Sequence, residues 1–414
     1  MSVPGDKCSE NHDKGNRCCT LPKDRMATNK RLLWVISYHH ACNDGALLAL
    51  VALLPILAEE MDLSYSEIGL LGFGLLITVV IQLMVGRLTD RMFSRYLLEI
   101  GAGLMAISFL MVPFVSDFNG LFLAVISMRV GASFYHPVGI SWITREYSGP
   151  YLETALGIQS GTGNLGVIIA LGTSGFLGDM FGWQTPCLIW AGMNLLGVAL
   201  GLMFTGHPDR PTVERKPVMR TTTRSTMLKI GMLTVPIATG GALYQVTSYY
   251  GPLNLTAMHD WTAGSADLIF AVWIGVGTLT SYYFGSISAR YGRQRILKIG
   301  YLVSALGMAS LFAFSSWYLL APVLILYGAV LFVTYPALFA IVTDITDRSE
   351  RGTAFGILFG FQLGGGAVVV YICGVVADML DDPSYSFLIA SGLSVVSLVT
   401  LVAWEAKPSP KASA

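Results

Sequence analysis

Two pairs of titratable or charged residues stand where an apolar chain accommodates them least. His40 and Asp44 lie four residues apart in one apolar run, and Arg129 and His136 lie seven apart in another. Both spacings return helical side chains to one face. A carboxylate beside imidazoles can take up and release a proton, and a guanidinium can tune that carboxylate or hold an anion. Asp44, His40 and His136 are therefore the candidate proton-coupling residues, and Arg129 is the candidate anion-binding group. Helical rise places Asp44 and Arg129 at comparable depth. A pairing between them is expected, either as a fixed structural ion pair or as a switch that substrate opens. Neutral polar and aromatic groups complete the candidate binding set: Asn43, Tyr135, Gln159 and Asn164 in the first half, and Tyr244, Gln245, Tyr249, Tyr335 and Gln362 in the second. Such groups recognise an organic body through hydrogen bonds and ring contacts. His39 reads as a packing or hydrogen-bond residue, and the second half is expected to hold no deep charge.

The elements that position these residues are membrane helices. The 414 residues are 53% hydrophobic and 13% charged, with a mean hydropathy of +0.60. Average soluble domains carry about 25% charged residues. Apolar runs long enough to span a bilayer recur from Leu32 to Trp404, and we count twelve. Zero net charge leaves no basic footprint for nucleic acid. No nucleophile–base arrangement is visible, so neither an enzyme nor a cofactor is expected. Cys8, His12, Cys18 and Cys19 could ligate a metal, but they lie in a polar tail unable to form a core. An unstructured tail and no metal site are the expectation there. Residues 1–30 also lack the apolar stretch of a signal peptide.

Lysine and arginine set the expected topology. With the N-terminus inside, 25 of the 26 basic residues fall in the tails or inner loops, and the remaining one is Arg129. The outer loops carry acids only, Glu59, Glu60, Asp62, Asp117, Asp260 and Asp381 among them. The positive-inside rule then puts both termini in the cytoplasm and the protein in the cell membrane.

The chain also repeats itself at a shift of 199 residues. Gly86 falls on Gly285, Arg91 on Arg290, Pro137 on Pro336, Gly161 on Gly360, Gly175 on Gly374, and Asp179 on Asp378. Shared positions in loops, mid-helix prolines and helix ends imply two six-helix halves of the same orientation, as in carriers that alternate access around a midplane site. Gly157 and Gly161, with Gly356 and Gly360 at matching positions, have the spacing that lets helix backbones approach.

These residues resemble the major facilitator superfamily. GRLTDRMFSR at 86–95 is similar to its loop between helices 2 and 3, and GSISARYGRQR from Gly285 is the second-half counterpart, with Ala289 where the acid would stand. Within the superfamily, HACND at 40–44, LSYSEIGLL at 63–71, YHP at 135–137 and GNLG at 163–166 resemble the fosmidomycin-resistance type of efflux protein. Val138 departs from that type, which has an acid after His-Pro, and the fifth helix has no Gly-Pro motif. A nitrate porter is a poor match, because span 66–89 holds arginine only at its inner end, Arg87, and span 263–288 has one only beyond its inner end, Arg290. The resemblance implies that Gly86, Asp90 and Arg91 gate the inner side, with Arg145 as partner of Asp90.

The expectation is thus an all-α membrane protein of twelve helices in two parallel six-helix repeats. Residues 1–30 form a cytoplasmic tail, 31–205 one bundle, 206–228 a linker, 229–405 the second bundle and 406–414 a second tail. The expected function is secondary active transport of a small organic solute by a monomer in the lipid bilayer, with proton as coupling ion and export as direction. Uptake of a small carboxylate or phosphonate-like anion is the rival mode. A membrane sensor on a transporter scaffold is the alternative of another class.

Overall fold

The computed structural model describes residues 30–89, 92, 94–147, 150–205, 224–346 and 351–405. The cysteine-bearing tail, Asp90 and Arg91 lie outside these residues. Lipid offers no partner for backbone polar groups, so a spanning chain must satisfy them within helices. Accordingly, the described residues contain helices and turns and no strand. Six passes form the first half: α1 (Lys30–Glu60), α2 (Tyr65–Phe73) continued by α3 (Leu75–Leu88), α4 (Ser94–Met111), α5 (Phe118–Ala132) continued by α6 (Tyr135–Glu146), α7 (Pro150–Phe181) and α8 (Gln184–Phe204). Six more form the second: α9 (Arg224–His259), α10 (Ala263–Tyr282) continued by α11 (Phe284–Tyr291), α12 (Arg293–Ala313), α13 (Trp317–Ile345), α14 (Arg351–Leu380) and α15 (Tyr385–Glu405). α9 begins inside the segment 206–228 expected to be linker.

Among the described residues, eleven passes are long and apolar enough to cross a membrane by themselves. The exception is α9, which has 36 residues but carries Thr239, Thr247, Ser248, Tyr249 and Asn254 as buried side chains. It packs on α14, α15, α10, α13 and α1, so protein rather than lipid surrounds its polar groups.

We call the side where α1 begins and α15 ends the terminal face, and the opposite side the far face. The halves meet from mid-depth to the far face. There α2 and α3 pack on α14, and α7 packs on α10. Toward the terminal face the halves part: a Cβ added at Gly157, Gly161, Gly356 or Gly360 would have nothing within 4 Å. These glycines are therefore not the close-contact positions their spacing suggested. The close approaches lie elsewhere, at Gly45 against Trp190 and at Gly166 against the Ala41 backbone.

Two acids hold the far face, and they are repeat mates. Asp378, at the end of α14, accepts the backbone N–H groups of Tyr65 (2.7 Å) and Ser66 (2.8 Å) at the start of α2. Asp179, at the end of α7, accepts the N–H of Gly264 (2.8 Å) at the start of α10. A carboxylate at a helix N-terminus fills orphan donors and meets the positive end of the helix dipole. Each helix start is also capped locally. Ser64 and Glu67 form a reciprocal capping box, and Thr262 caps Ser265.

Candidate functional site

The fourth pass breaks at the stretch RVGASFYHP. α5 ends at Ala132, where the Ser133 hydroxyl donates to the Arg129 carbonyl (2.6 Å), and α6 restarts at Tyr135. Pro137 favours such a break because its ring clashes with the carbonyl four residues earlier and it offers no N–H. The break presents Tyr135 and His136 toward α1.

His136 and His40 both reach Asp44. His40 Nε2 lies 3.0 Å from Asp44 Oδ2, and His136 Nε2 lies 3.4 Å from Oδ1. Asn43 Nδ2 donates to Asp44 Oδ1 at 2.9 Å. His136 is 40% exposed and His40 is buried, so the cluster has a wet side and a dry side. On the dry side the His40 ring stacks on Tyr135 (centroids 4.4 Å apart, 17° between planes), and the Tyr135 hydroxyl donates to Gln159 Oε1 (2.9 Å).

One contact fixes the chemistry of His40. Its Nδ1 stands 2.7 Å from the Gln159 carbonyl oxygen, which only accepts, so Nδ1 carries a hydrogen. Nε2 then faces the carboxylate with either a lone pair or a proton. Nε2 lies 3.0 Å from the carboxylate, within ion-pair distance but without the alignment of a hydrogen bond. Gly163 makes room for the ring, because a Cβ there would lie 2.6 Å from His40 Cε1 and Nε2. Gly163→Ala should therefore lower stability by about 1–3 kcal/mol through overpacking. Gly157→Ala, in open space, should not destabilise, and thermal unfolding in detergent compares the two.

Arg129 does not pair with Asp44. Its Nη2 donates to the Tyr249 hydroxyl on α9 (2.8 Å), bridging the two halves, and among the described residues no acid lies within ion-pair distance. The expected pairing rested on comparable depth, which does not by itself bring two side chains together, and the break after Ala132 separates Arg129 from the His136 that does reach Asp44. Arg129 is 5% exposed and its Nε has no hydrogen-bond partner, so a buried cation is left without a counter-charge.

Among the second-half candidates, Tyr249 joins the site through Arg129. Tyr244 is half-buried against Trp273 (5.8 Å) and Phe332 (6.2 Å). Tyr335 donates to the Gly240 carbonyl (2.9 Å), a helix-to-helix tie. Gln245 packs near Gly366, Gln362 Oε1 is buried without a partner, and Asn164 is half-buried outside the histidine network. Of the gating candidates, Gly86 faces Pro137, with a Cβ there at 3.9 Å. Arg145 donates to Ser141 (3.2 Å) and to Ser94, while Asp90 and Arg91 lie outside the described residues.

Comparison with known proteins agrees with the two-half architecture. The family model of the Major Facilitator Superfamily matches residues 40–259 and again 237–414. The chain belongs to the major facilitator superfamily. An uncharacterised transporter of this superfamily from Bacillus subtilis, YfnC, is 23% identical over 365 residues, covering 84% of this chain and 86% of its own. The fosmidomycin resistance protein of Escherichia coli is 22% identical over 368 residues, covering 86% and 88%. The crystal structure of the nucleoside transporter NupG superposes with a TM-score of 0.75 at 17% identity, covering 92% of this chain and 100% of that one. At that identity the likeness speaks for the fold.

Within this superfamily fold, two buried acids escaped the sequence reading. Glu99 on α4 is 8% exposed and stands 3.7 Å from His39, without a hydrogen bond between them. Asp267 on α10 is fully buried, and the second half does hold a deep acid. Both come early in their passes, where depth is ambiguous from sequence. Their burial depends on glycines of neighbouring helices, Gly201 beside Glu99 and Gly175 beside Asp267.

Proposed function

We propose that this transporter is a proton-coupled exporter of a small organic solute. The arrangement that carries the reading is the Asp44 carboxylate held between two imidazoles, His40 pinned at Nδ1 and His136 beside it, a group able to take up and release a proton. His136, on the wet side, is the route by which the proton reaches water. The positive-inside rule assigns the terminal face to the cytoplasm. The conformation is then open to the cell interior, where an exported solute would enter. The names of the fosmidomycin resistance relative and of Multidrug resistance protein 1 from Bacillus subtilis, 22% identical over 374 residues, support export.

Arg129 and Tyr249 form the proposed head-group site. A buried guanidinium with no acid beside it among the described residues favours a solute with an anionic group, and the half-buried Tyr244 and Phe332 offer rings to its organic body. Arg129→Lys keeps the charge but loses the planar fork, so affinity for such a solute should fall roughly tenfold or more. Equilibrium binding with fosmidomycin as the first trial ligand reads this out.

The coupling itself is tested in proteoliposomes of defined orientation. An imposed pH gradient should drive fosmidomycin, or a ligand found by a thermal-shift screen at two pH values, against its concentration gradient. Accumulation that survives collapse of the gradient by a protonophore would refute proton coupling.

A further inference from the structure

The buried carboxylate of Asp267 lies outside the histidine cluster and has no role in the reading above. It sits one turn into α10, where α7 and α10 close the far face. Gly264 of α10 packs against Phe176, and Gly175 of α7 leaves the space that Asp267 Oδ2 and the Ala263 carbonyl occupy. Asp267 is 0% exposed, and neither carboxylate oxygen has a hydrogen-bond partner among the described residues.

The charged group facing it is the Asp179 carboxylate on α7, itself committed to the Gly264 N–H. Among the described residues the other neighbouring helices bring no buried counter-charge, and the titratable groups just before α10, His259 at the end of α9 and Asp260, are exposed. α9 meets α10 through Gly251 against Phe270, and α13 through Tyr327 stacked on Trp273. The outer part of α1, Val51 to Leu57, holds no titratable residue, and α11 follows α10 at the terminal end. An anion there would face another anion with no donor to compensate its lost hydration.

The internal repeat shows that packing does not require an acid at this position. A shift of 199 residues carries Asp267 onto Ile68, Gly175 onto Gly374 and Asp179 onto Asp378. In the α2–α14 contact Ile68 is equally buried and the capping aspartate recurs, while the space beside Gly374 is taken by the Tyr65 carbonyl, Ser66 Cα and the Tyr250 hydroxyl. One half closes its far-face contact with isoleucine, the other with a carboxyl group.

We propose that Asp267 is a second proton-binding site, loaded when the far face is closed and emptied to the far side when α7 and α10 part. Closure buries the neutral acid. Opening hydrates the carboxyl group, which then gives its proton to water and must regain one before the contact can re-form. The far gate thereby senses acidity on its own side, independently of the proton at Asp44. Raising the pH favours the open gate and lowering it favours closure. For one proton, the open-to-closed ratio changes by up to about tenfold per pH unit.

The test follows gate opening by spin-label distances between Phe114→Cys and Tyr318→Cys. Both positions are 87% exposed at the far face, one in each half, and the six native cysteines are replaced. In otherwise wild-type protein the long-distance population should grow with pH. Asp267→Asn mimics the neutral acid and should hold the gate closed across the titration, whereas Asp44→Asn should leave the far-gate titration in place. A wild-type pH response in Asp267→Asn would overturn the proposal, as would its loss in Asp44→Asn alone, without touching the coupling role of Asp44. Should the asparagine variant fail to fold, Asp267→Glu retains a carboxyl group at altered reach and should move the midpoint. A midpoint unchanged in that variant would equally overturn it.

Discussion

Asp44→Asn should abolish gradient-driven accumulation while leaving substrate exchange across the vesicle membrane largely intact. Asparagine keeps the size of the side chain and an acceptor oxygen for His40 and His136, but it cannot hold the charge that pairs with a proton. The carrier would still bind solute and still alternate, because Arg129, Tyr249 and the far-face contacts are untouched. Coupling between two ligands is typically about 1–3 kcal/mol, so its removal should cut the accumulation ratio roughly 5- to 150-fold. Counterflow of labelled against unlabelled solute serves as the control. Loss of both activities would instead mark Asp44 as a structural or substrate-binding residue.

The paired far-face latches make the second large prediction. Asp179→Ala and Asp378→Ala each remove a charge-assisted cap from a helix of the opposite half. Deleting one partner of such a bond costs about 1–3 kcal/mol. The two contacts share no residue, so their effects should approximately add. A two-state equilibrium swings from 1:99 to 99:1 over about 5.5 kcal/mol, so the double variant should become predominantly open at the far face. Labels at positions 114 and 318 report that shift directly. If the double variant keeps the wild-type distance distribution, the caps only finish their helices and do not latch the gate.

Much of this organisation was readable before any coordinates. The 199-residue register paired Asp179 with Asp378, and the structure shows both performing the same act on helices that are themselves repeat mates. The i, i+4 spacing of His40 and Asp44 likewise survives as a direct contact, since α1 is unbroken there. The i, i+7 spacing of Arg129 and His136 does not transfer, because the chain restarts its helix at Tyr135 and a period holds only within one helix. The glycine pattern was misread for a related reason. Spacing marks a face, but only the partner helix decides whether that face is packed, as at Gly166, or open, as at Gly161. Asp267 and Glu99 could not be recognised as deep acids because their burial comes from Gly175 and Gly201, on other passes.

Counting the protons released as solute binds to purified protein tests the central claim most directly. If solute binding in antiport expels the His40–Asp44 proton, roughly one proton should appear per solute bound, by linkage. Fosmidomycin, or the best ligand from the screen, is titrated into weakly buffered detergent solution with a pH indicator. Wild-type protein should release that proton, and Asp44→Asn, binding the same ligand, should release none. Equal release from both proteins would contradict the assignment of the coupling proton to Asp44 and its two histidines.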